Sequence, residues 1–210
     1  MENNKKTVSI LGSTGSIGCS TIDLIEKNLD RFTVAALTAN RSVDLLVDQV
    51  KRTNAEFAVV ADESYYKELK LALSGCGVEA AAGPQGLMDA ASRSTDLVMA
   101  GIVGAAGLEP TLTSVKRGYS IALANKECLV CAGELMLSEL EKSGATLLPV
   151  DSEHNAIFQV FDFENPDSVE KIILTASGGP FWRMSSKDMG SVTPEQAVVH
   201  PTWSMGNKIS

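Results

Sequence analysis

The feature of this sequence that most constrains its fold is a regular alternation of short apolar runs with longer amphipathic segments. Between the runs, apolar residues recur at helical spacing, as at Val43, Leu46, Val47 and Val50. Such alternation predicts βαβ units, and the near-continuous apolar character of several runs predicts strands that are buried on both faces. We therefore predict an α/β fold, a Rossmann-like doubly wound parallel sheet with helices on both faces. The predicted strands cover residues 7–11, 33–38, 57–60, 97–102, 121–124, 146–150 and 171–175.

The organisation of the chain changes near residue 150. The strand-helix rhythm is regular up to that point, and a polar run at residues 151–155 and an acidic, proline-containing stretch at 162–167 follow it. We predict one domain over residues 1–150 and the first part of another over residues 151–210. Because the sequence stops directly after a Gly-Asn-Lys loop, we expect the second domain to be incomplete.

Composition and charge exclude several classes of protein. The hydrophobic fraction of 44% is sufficient for a packed core. The net charge of −8 and the pI of about 4.8 argue against a partner that is duplex nucleic acid or an anionic membrane surface. No apolar run is long enough to span a bilayer, and the start of the chain lacks a secretory cleavage pattern, so we expect a cytoplasmic protein.

Two of the four cysteines, Cys128 and Cys131, have the spacing of a redox motif or of half a zinc site. No second pair and no nearby histidine completes a zinc site. We therefore expect reduced thiols that serve as small apolar residues.

A glycine-rich loop follows the first predicted strand. Gly12, Gly15 and Gly18 recur at every third residue in the segment GSTGSIG, and a helix is predicted directly after it. Glycine at these positions lets the backbone approach a pyrophosphate closely, and the N-terminus of the helix offers free N–H groups to the anion. The loop predicts dinucleotide binding, although a glycine-rich turn without a ligand remains the alternative.

The second predicted strand ends before Asn40, Arg41 and Ser42. Enzymes that use NAD usually carry an acidic residue here, whereas an arginine with hydroxyl and amide neighbours suits the 2′-phosphate of NADP. The segment favours NADP over NAD, and the alternative is a solvated arginine at a helix start.

Two acidic residues, Asp151 and Glu153, follow the sixth predicted strand. Carboxylates at such nearby positions form part of a site for Mg²⁺ or Mn²⁺. The same residues also suit the first turn of a helix, with Asp151 as the N-cap, and both interpretations stay open. Lys126, at the end of the preceding strand, lies where open α/β sheets bind ligands, but lysine is also an ordinary surface residue.

Two further segments have polar or flexible character. Ser177, Gly178 and Gly179 offer backbone N–H groups that suit a phosphate, or form a plain turn. Residues 200–208, with His200 and Trp203, have the composition of a lid that excludes water, or of a loop that a tryptophan anchors to the core.

The strings ILGSTGSIG, ALANKE, LLPVDSEHNAIFQ, SGGPF and HPTWSMG occur in this order between residues 8 and 210. Together they resemble the 1-deoxy-D-xylulose 5-phosphate reductoisomerase family. The resemblance implies NADPH- and divalent-metal-dependent (Mg²⁺ or Mn²⁺) conversion of 1-deoxy-D-xylulose 5-phosphate, a phosphorylated sugar, to 2-C-methyl-D-erythritol 4-phosphate in non-mevalonate isoprenoid biosynthesis. It also implies an NADPH-binding domain over residues 1–150, the start of an α+β catalytic domain over residues 151–210, and a homodimer when the protein is full length.

The resemblance further implies a role for each matching residue. It assigns the metal to Asp151 and Glu153, and catalysis to these two residues with Lys126, His200 and Trp203. Substrate contacts fall on Lys126, Ser152, Glu153, Ser177 and His200. Cofactor contacts fall on Thr14, Gly15, Ser16, Ile17, Asn40, Arg41, Ser42, Asn125, Glu127 and Gly206.

The sequence departs from the family pattern in two places. Asn40 stands where many relatives have glycine, which matters little for phosphate binding. The family continues after KIS into a segment resembling VDSATMMNKGLE, which brings the third carboxylate ligand and further phosphate contacts. Because this chain lacks that segment, we expect it to be inactive alone. A related NADP-dependent dehydrogenase and a nucleotide-binding module remain as alternatives.

Overall fold

A computed structural model describes residues 5–176 and 178–199 of the chain. The chain divides into two compact units, one ending at Asn155 and the other beginning at Ala156. The predictions made on Ser177, His200, Trp203 and Gly206 lie outside the described residues.

The described part of the first unit is built on a parallel sheet of seven strands. Their order across the sheet is β4-β3-β2-β1-β5-β6-β7, and every neighbouring pair is parallel. This confirms the predicted doubly wound sheet. The strands are β1 (Lys6–Leu11), β2 (Phe32–Ala39), β3 (Phe57–Val60), β4 (Glu79–Ala82), β5 (Leu97–Ala100), β6 (Ser120–Leu123) and β7 (Thr146–Pro149).

Helices cover both faces of this sheet. Successive residues of a strand point to opposite faces, so neighbouring residues pack against different helices. In β3, Ala58 and Val60 belong to a core cluster with residues of the first three helices, whereas Phe57 and Val59 belong to a second cluster with residues of the next three. The helices of this unit are α1 (Ser16–Glu26), α2 (Val43–Thr53), α3 (Tyr66–Ala72), α4 (Gly83–Ser92), α5 (Leu108–Lys116) and α6 (Glu127–Ser143).

The strand order reverses direction at β1. The chain runs outward from β1 to the edge strand β4 and then returns to place β5 on the other side of β1. The loops that follow β1 and β5 are therefore adjacent at the carboxyl edge of the sheet, which is where doubly wound folds bind their ligands.

Two of the strand predictions were wrong. The strand β4 was missed because its segment, Glu79–Ala82, is almost all alanine, which has little preference for strands. The strand predicted at residues 171–175 is not formed, and Ile172, Ile173 and Leu174 are all exposed. No strand in the described part of the second unit lies beside this segment, and a strand needs a partner for its backbone hydrogen bonds.

The remaining α-helices of the described residues are α7 (Ser152–Val160), α8 (Ser186–Met189) and α9 (Pro194–Ala197). The second unit also contains a cluster of aromatic rings in which Phe163 contacts Phe158 and Phe161. Among the helices described, none has the length and apolar character needed to cross a membrane.

The four cysteines are free thiols. The prediction of a small apolar residue is confirmed for Cys128, which is buried in the second core cluster, and burial raises the pKa of its thiol. Cys131 is exposed on the same helix.

Candidate functional site

The glycine loop between β1 and α1 is packed so tightly that side chains cannot enter it at two positions. Gly12 has a φ of +85°, and a Cβ there would lie 2.9 Å from the backbone of Gly101, directly after β5. A Cβ at Gly18 would lie 2.3 Å from the carbonyl oxygen of Gly12. Both contacts are shorter than a real Cβ can make, so the loop conformation requires glycine at these positions.

The loop is also tied to the end of β2 through Thr38. The Gly12 N–H donates to the Thr38 hydroxyl over 2.8 Å, and the Ser13 N–H donates to the Thr38 carbonyl over 2.8 Å. The Ser13 hydroxyl donates to the same carbonyl. Thr38 and Ser13 are buried, so these bonds fix the loop from its inner side. Thr38 is not among the predicted site residues.

The loop leads directly into the N-terminus of α1. Gly15 precedes the helix in an extended conformation, and within the described residues no side chain caps the first turn. Gly15, Ser16 and Ile17 are exposed. The first backbone N–H groups of a helix lack partners within it and carry the positive end of its dipole. The predicted cofactor residues Thr14 to Ile17 therefore form a site suited to an anion.

Arg41 lies beyond the end of β2, at the same edge of the sheet. Its Nε donates to Oδ2 of Asp62 over 2.9 Å, and its side chain is 66% exposed. This contact holds the guanidinium by one nitrogen and leaves its two terminal nitrogens for a phosphate. Asn40 and Ser42 beside it are exposed.

Asp62, at the end of β3, was not singled out from the sequence. Its Oδ1 accepts hydrogen bonds from the backbone N–H and the hydroxyl of Ser64. These bonds, with a smaller effect from Arg41, lower the pKa of Asp62, so the carboxylate that holds Arg41 is itself fixed in place and charged.

Asn125, predicted to contact the cofactor, has its side chain engaged inside the protein. It is 3% exposed, and its amide nitrogen donates to the carbonyls of Ile102 and Gly104. Its oxygen accepts from the Glu127 N–H over 3.1 Å. Asn125 thus joins the loop after β5 to the start of α6, while Lys126 and Glu127 beside it are exposed.

Asp151 follows β7 and acts as a cap of α7. Its Oδ1 accepts from the His154 backbone N–H over 3.1 Å and lies 2.6 Å from Nδ1 of the same residue. Burial raises the pKa of Asp151, but the hydrogen bonds from His154 and the charges of His154 and Lys126 outweigh burial and lower it. The N-cap interpretation is confirmed, and it uses only one of the two carboxylate oxygens.

The remaining oxygen, Oδ2 of Asp151, and the exposed carboxylate of Glu153 are oxygen donors of the kind that Mg²⁺ and Mn²⁺ prefer. The chemistry of these donors fits a hard divalent cation. Within residues 5–176 and 178–199, no group of three or more His, Cys, Asp or Glu side chains is placed to hold a metal ion. A metal site built on these two carboxylates would therefore need further ligands from outside the described residues.

A separate groove of about 420 Å³ runs along the edge strand β4. Its polar lining includes Glu63, Gln85 and Asp89. Two carboxylates repel a polyanionic dinucleotide, so this groove does not suit one despite its volume.

The glycine loop at the strand-order reversal, with the helix N-terminus beyond it and Arg41 at the end of the second strand, defines a dinucleotide-binding domain of the doubly wound class. Within this class the chain belongs to the 1-deoxy-D-xylulose 5-phosphate reductoisomerase family. Residues 8–133 match the model of that family, and residues 147–210 match the model of the 1-deoxy-D-xylulose 5-phosphate reductoisomerase C-terminal domain.

Individual relatives agree with this assignment. The reductoisomerase of Zymomonas mobilis is 60% identical over 205 residues, which are 98% of this chain and 53% of the relative. The solved structure of a 1-deoxy-D-xylulose 5-phosphate reductoisomerase from Zymomonas mobilis in complex with NADPH has a TM-score of 0.90 at 58% identity, covering 94% of this chain and 52% of the other. A DOX-P reductoisomerase in complex with NADPH, fosmidomycin and magnesium has a TM-score of 0.88 at 38% identity, covering 96% and 52%. The chain thus spans about half the length of the relatives it matches.

Proposed function

We propose that this chain supplies the NADPH site and part of the metal site of a reductoisomerase that converts 1-deoxy-D-xylulose 5-phosphate to 2-C-methyl-D-erythritol 4-phosphate. The observation that carries the proposal is the glycine loop at the strand-order reversal with Arg41 beside it, in a member of this family. The complexes of related structures with NADPH and with magnesium support it.

The two parts of the proposed function fall on different segments of the chain. Residues 1–150 form the NADPH-binding domain, and residues 151–210 form the first part of the catalytic domain. The cofactor's pyrophosphate lies on the N–H groups of Thr14, Ser16 and Ile17, since the Gly15 N–H already donates to the Gly12 carbonyl. Its 2′-phosphate lies on Arg41 with Asn40 and Ser42. Glu127 and Gly206 provide further cofactor contacts, and Asn125, whose own side chain is buried, holds the start of α6 in place for the cofactor.

The catalytic part of the proposal rests on the carboxyl ends of β6 and β7. Asp151 and Glu153 hold a divalent cation, which, when bound, supplies Lewis-acid polarisation of a substrate carbonyl. Lys126, whose charge already acts on Asp151, contributes a positive group for the phosphorylated substrate. Ser152, Ser177 and His200 contact the substrate, and Trp203 closes over it. Assembly into a homodimer is proposed for the whole protein.

Arg41→Ala is expected to weaken NADPH binding and to leave NADH binding nearly unchanged. The lost contact is a hydrogen bond between charged groups, and such bonds contribute about 1.5–3 kcal/mol. Titration of both cofactors onto the wild-type chain and the variant, followed by the fluorescence of the reduced nicotinamide, measures the two affinities.

Arg31→Ala is the matched control for this titration. Arg31 is also exposed and carries the same charge, but it precedes β2 and so lies at the opposite edge of the sheet. The variant should bind NADPH like the wild type. Equal affinities of the wild-type chain for NADPH and NADH would remove Arg41 from the 2′-phosphate site.

The chain is expected to bind Mn²⁺ at least about tenfold more weakly than the complete Zymomonas mobilis reductoisomerase does, because two carboxylates leave most of the coordination shell to water. Isothermal titration calorimetry on both proteins measures the difference. Asp151→Asn should weaken the remaining affinity, and Asp167→Asn, which changes an exposed carboxylate elsewhere, should not. Matched affinities of the two unmodified proteins would show that the ligand count is wrong.

A further inference from the structure

We infer that Gln49 is a positioning residue for the dinucleotide. Its side chain holds the peptide between Ser13 and Thr14 in the orientation that presents the Thr14 N–H to a pyrophosphate. The inference rests on the proposed NADPH site, and it assigns a role to a residue on α2 that lies outside the glycine loop.

Gln49 is polar but lies in the core. It is 1% exposed and lies on α2, whose apolar stripe is formed by Val43, Leu46, Val47 and Val50. Burying an amide without hydrogen bonds costs free energy, so the position of its two polar atoms shows what the residue contributes.

The amide nitrogen and the amide oxygen of Gln49 have different environments. The Nε2 group donates to the Ser13 carbonyl oxygen over 2.9 Å. It also makes a weaker contact with the Cys19 sulfur over 3.8 Å. The Oε1 atom is buried, and no donor among the described residues reaches it. Burial of the Oε1 atom therefore costs free energy of folding, and the polar interaction by which Gln49 stabilises the protein is its bond to the glycine loop.

This bond determines where the neighbouring N–H points. In a trans peptide the carbonyl and the N–H of the same plane point in opposite directions. Because the Ser13 oxygen is held by Gln49, the Thr14 N–H is directed away from Gln49 and from the core around it. The Ser13 N–H is held by the Thr38 carbonyl, so both peptide planes of Ser13 are fixed.

A rotation of this peptide plane by half a turn would place the Ser13 oxygen where the Thr14 N–H now lies. An oxygen there repels a pyrophosphate, whereas an N–H donates to it. In the absence of Gln49 the buried Ser13 oxygen has lost its donor, and the rotated state becomes more populated. Gln49 thus preorganises the loop before the cofactor arrives.

The test compares two ligands on Gln49→Met, which keeps the length of the side chain and removes its donor. NADPH carries the pyrophosphate, whereas adenosine 2′-phosphate carries only the phosphate that we assign to Arg41. We expect about tenfold weaker NADPH binding, the loss of roughly one hydrogen bond, and unchanged binding of adenosine 2′-phosphate.

Ser114→Ala is the matched control, because the buried Ser114 hydroxyl donates to the Ala91 carbonyl over 2.9 Å, away from the loop. This variant loses a comparable bond and should bind both ligands like the wild type. If Gln49→Met gives no cooperative melting transition, Gln49→Leu replaces it, since this shorter apolar side chain also cannot donate, and the same selective loss is expected.

Three results would overturn the inference. Unchanged NADPH affinity of the variant shows that Gln49 does not position the loop, and equal losses for both ligands show a general structural role. Absence of NADPH binding by the wild-type chain overturns the proposed function, and the inference with it. Because that last result concerns the wild type alone, the two failures are distinguishable.

Discussion

Gly18→Ala is expected to abolish measurable NADPH binding by this chain. The new methyl group would lie 2.3 Å from the Gly12 carbonyl oxygen, and backbone atoms of Ser13 are almost as close. Because these are backbone atoms, relief requires the start of α1 to move away from the loop. Losing two hydrogen bonds from this region to the pyrophosphate, each of about 1.5–3 kcal/mol, corresponds to at least about a hundredfold loss of affinity.

The same substitution should also destabilise the fold by about 1–3 kcal/mol, because the overpacking outweighs the helical preference of alanine. Gly133→Ala in α6 is the matched control, since no atom lies within 4 Å of its added Cβ. That variant should gain about 0.4–1 kcal/mol of stability and bind NADPH normally. Thermal melting and NADPH titration of both variants measure the two effects, and normal affinity of Gly18→Ala would show that the loop does not bind the pyrophosphate.

A protein consisting of these 210 residues is expected to show no turnover of 1-deoxy-D-xylulose 5-phosphate with NADPH and Mg²⁺. We propose two metal-binding carboxylates among the described residues, which contain no group of three such ligands, and the chain spans about half the length of its relatives. The family resemblance places the third ligand and several substrate phosphate contacts outside these 210 residues. When the metal and the substrate are loosely held, a misplacement of about 1 Å lowers the reaction rate about a hundredfold. Lost phosphate contacts lower turnover further.

The assay follows the absorbance of NADPH with the Zymomonas mobilis reductoisomerase run beside this chain. NADPH titration of the same preparation is the control, because it shows that the dinucleotide domain is folded. Turnover within about tenfold of the relative, about 1.4 kcal/mol of activation free energy, would contradict the assignment of essential groups to residues outside these 210.

The architecture of the first unit was predictable because its signal is local. Alternating apolar runs and the stripe Val43, Leu46, Val47 and Val50 report burial directly, and the structure buries all four of these residues. The strand β4 was not predictable because alanine side chains carry little strand preference. The segment at residues 171–175 is the reverse case, a strand that was predicted and is not formed. Its apolar pattern is typical of a strand, but strand formation also depends on a neighbouring strand, which a local pattern does not report.

The candidate site was predictable where a residue type is tied to a chemical role. Glycine spacing indicated the loop, and Arg41 indicated a 2′-phosphate. Thr38, Gln49 and Asp62 were missed because each acts through a contact across the fold, with the loop or with Arg41, that no local pattern encodes. The two interpretations of Asp151 prove compatible, since capping by Oδ1 leaves Oδ2 for a cation.

The most direct test of this account is a crystal structure of the 210-residue chain with NADPH bound. We predict pyrophosphate oxygens about 2.7–3.2 Å from the backbone N–H groups of Thr14, Ser16 and Ile17, with the 2′-phosphate on the terminal nitrogens of Arg41. A dinucleotide bound elsewhere, for example in the groove along β4, or bound with its 2′-phosphate away from Arg41, would contradict it.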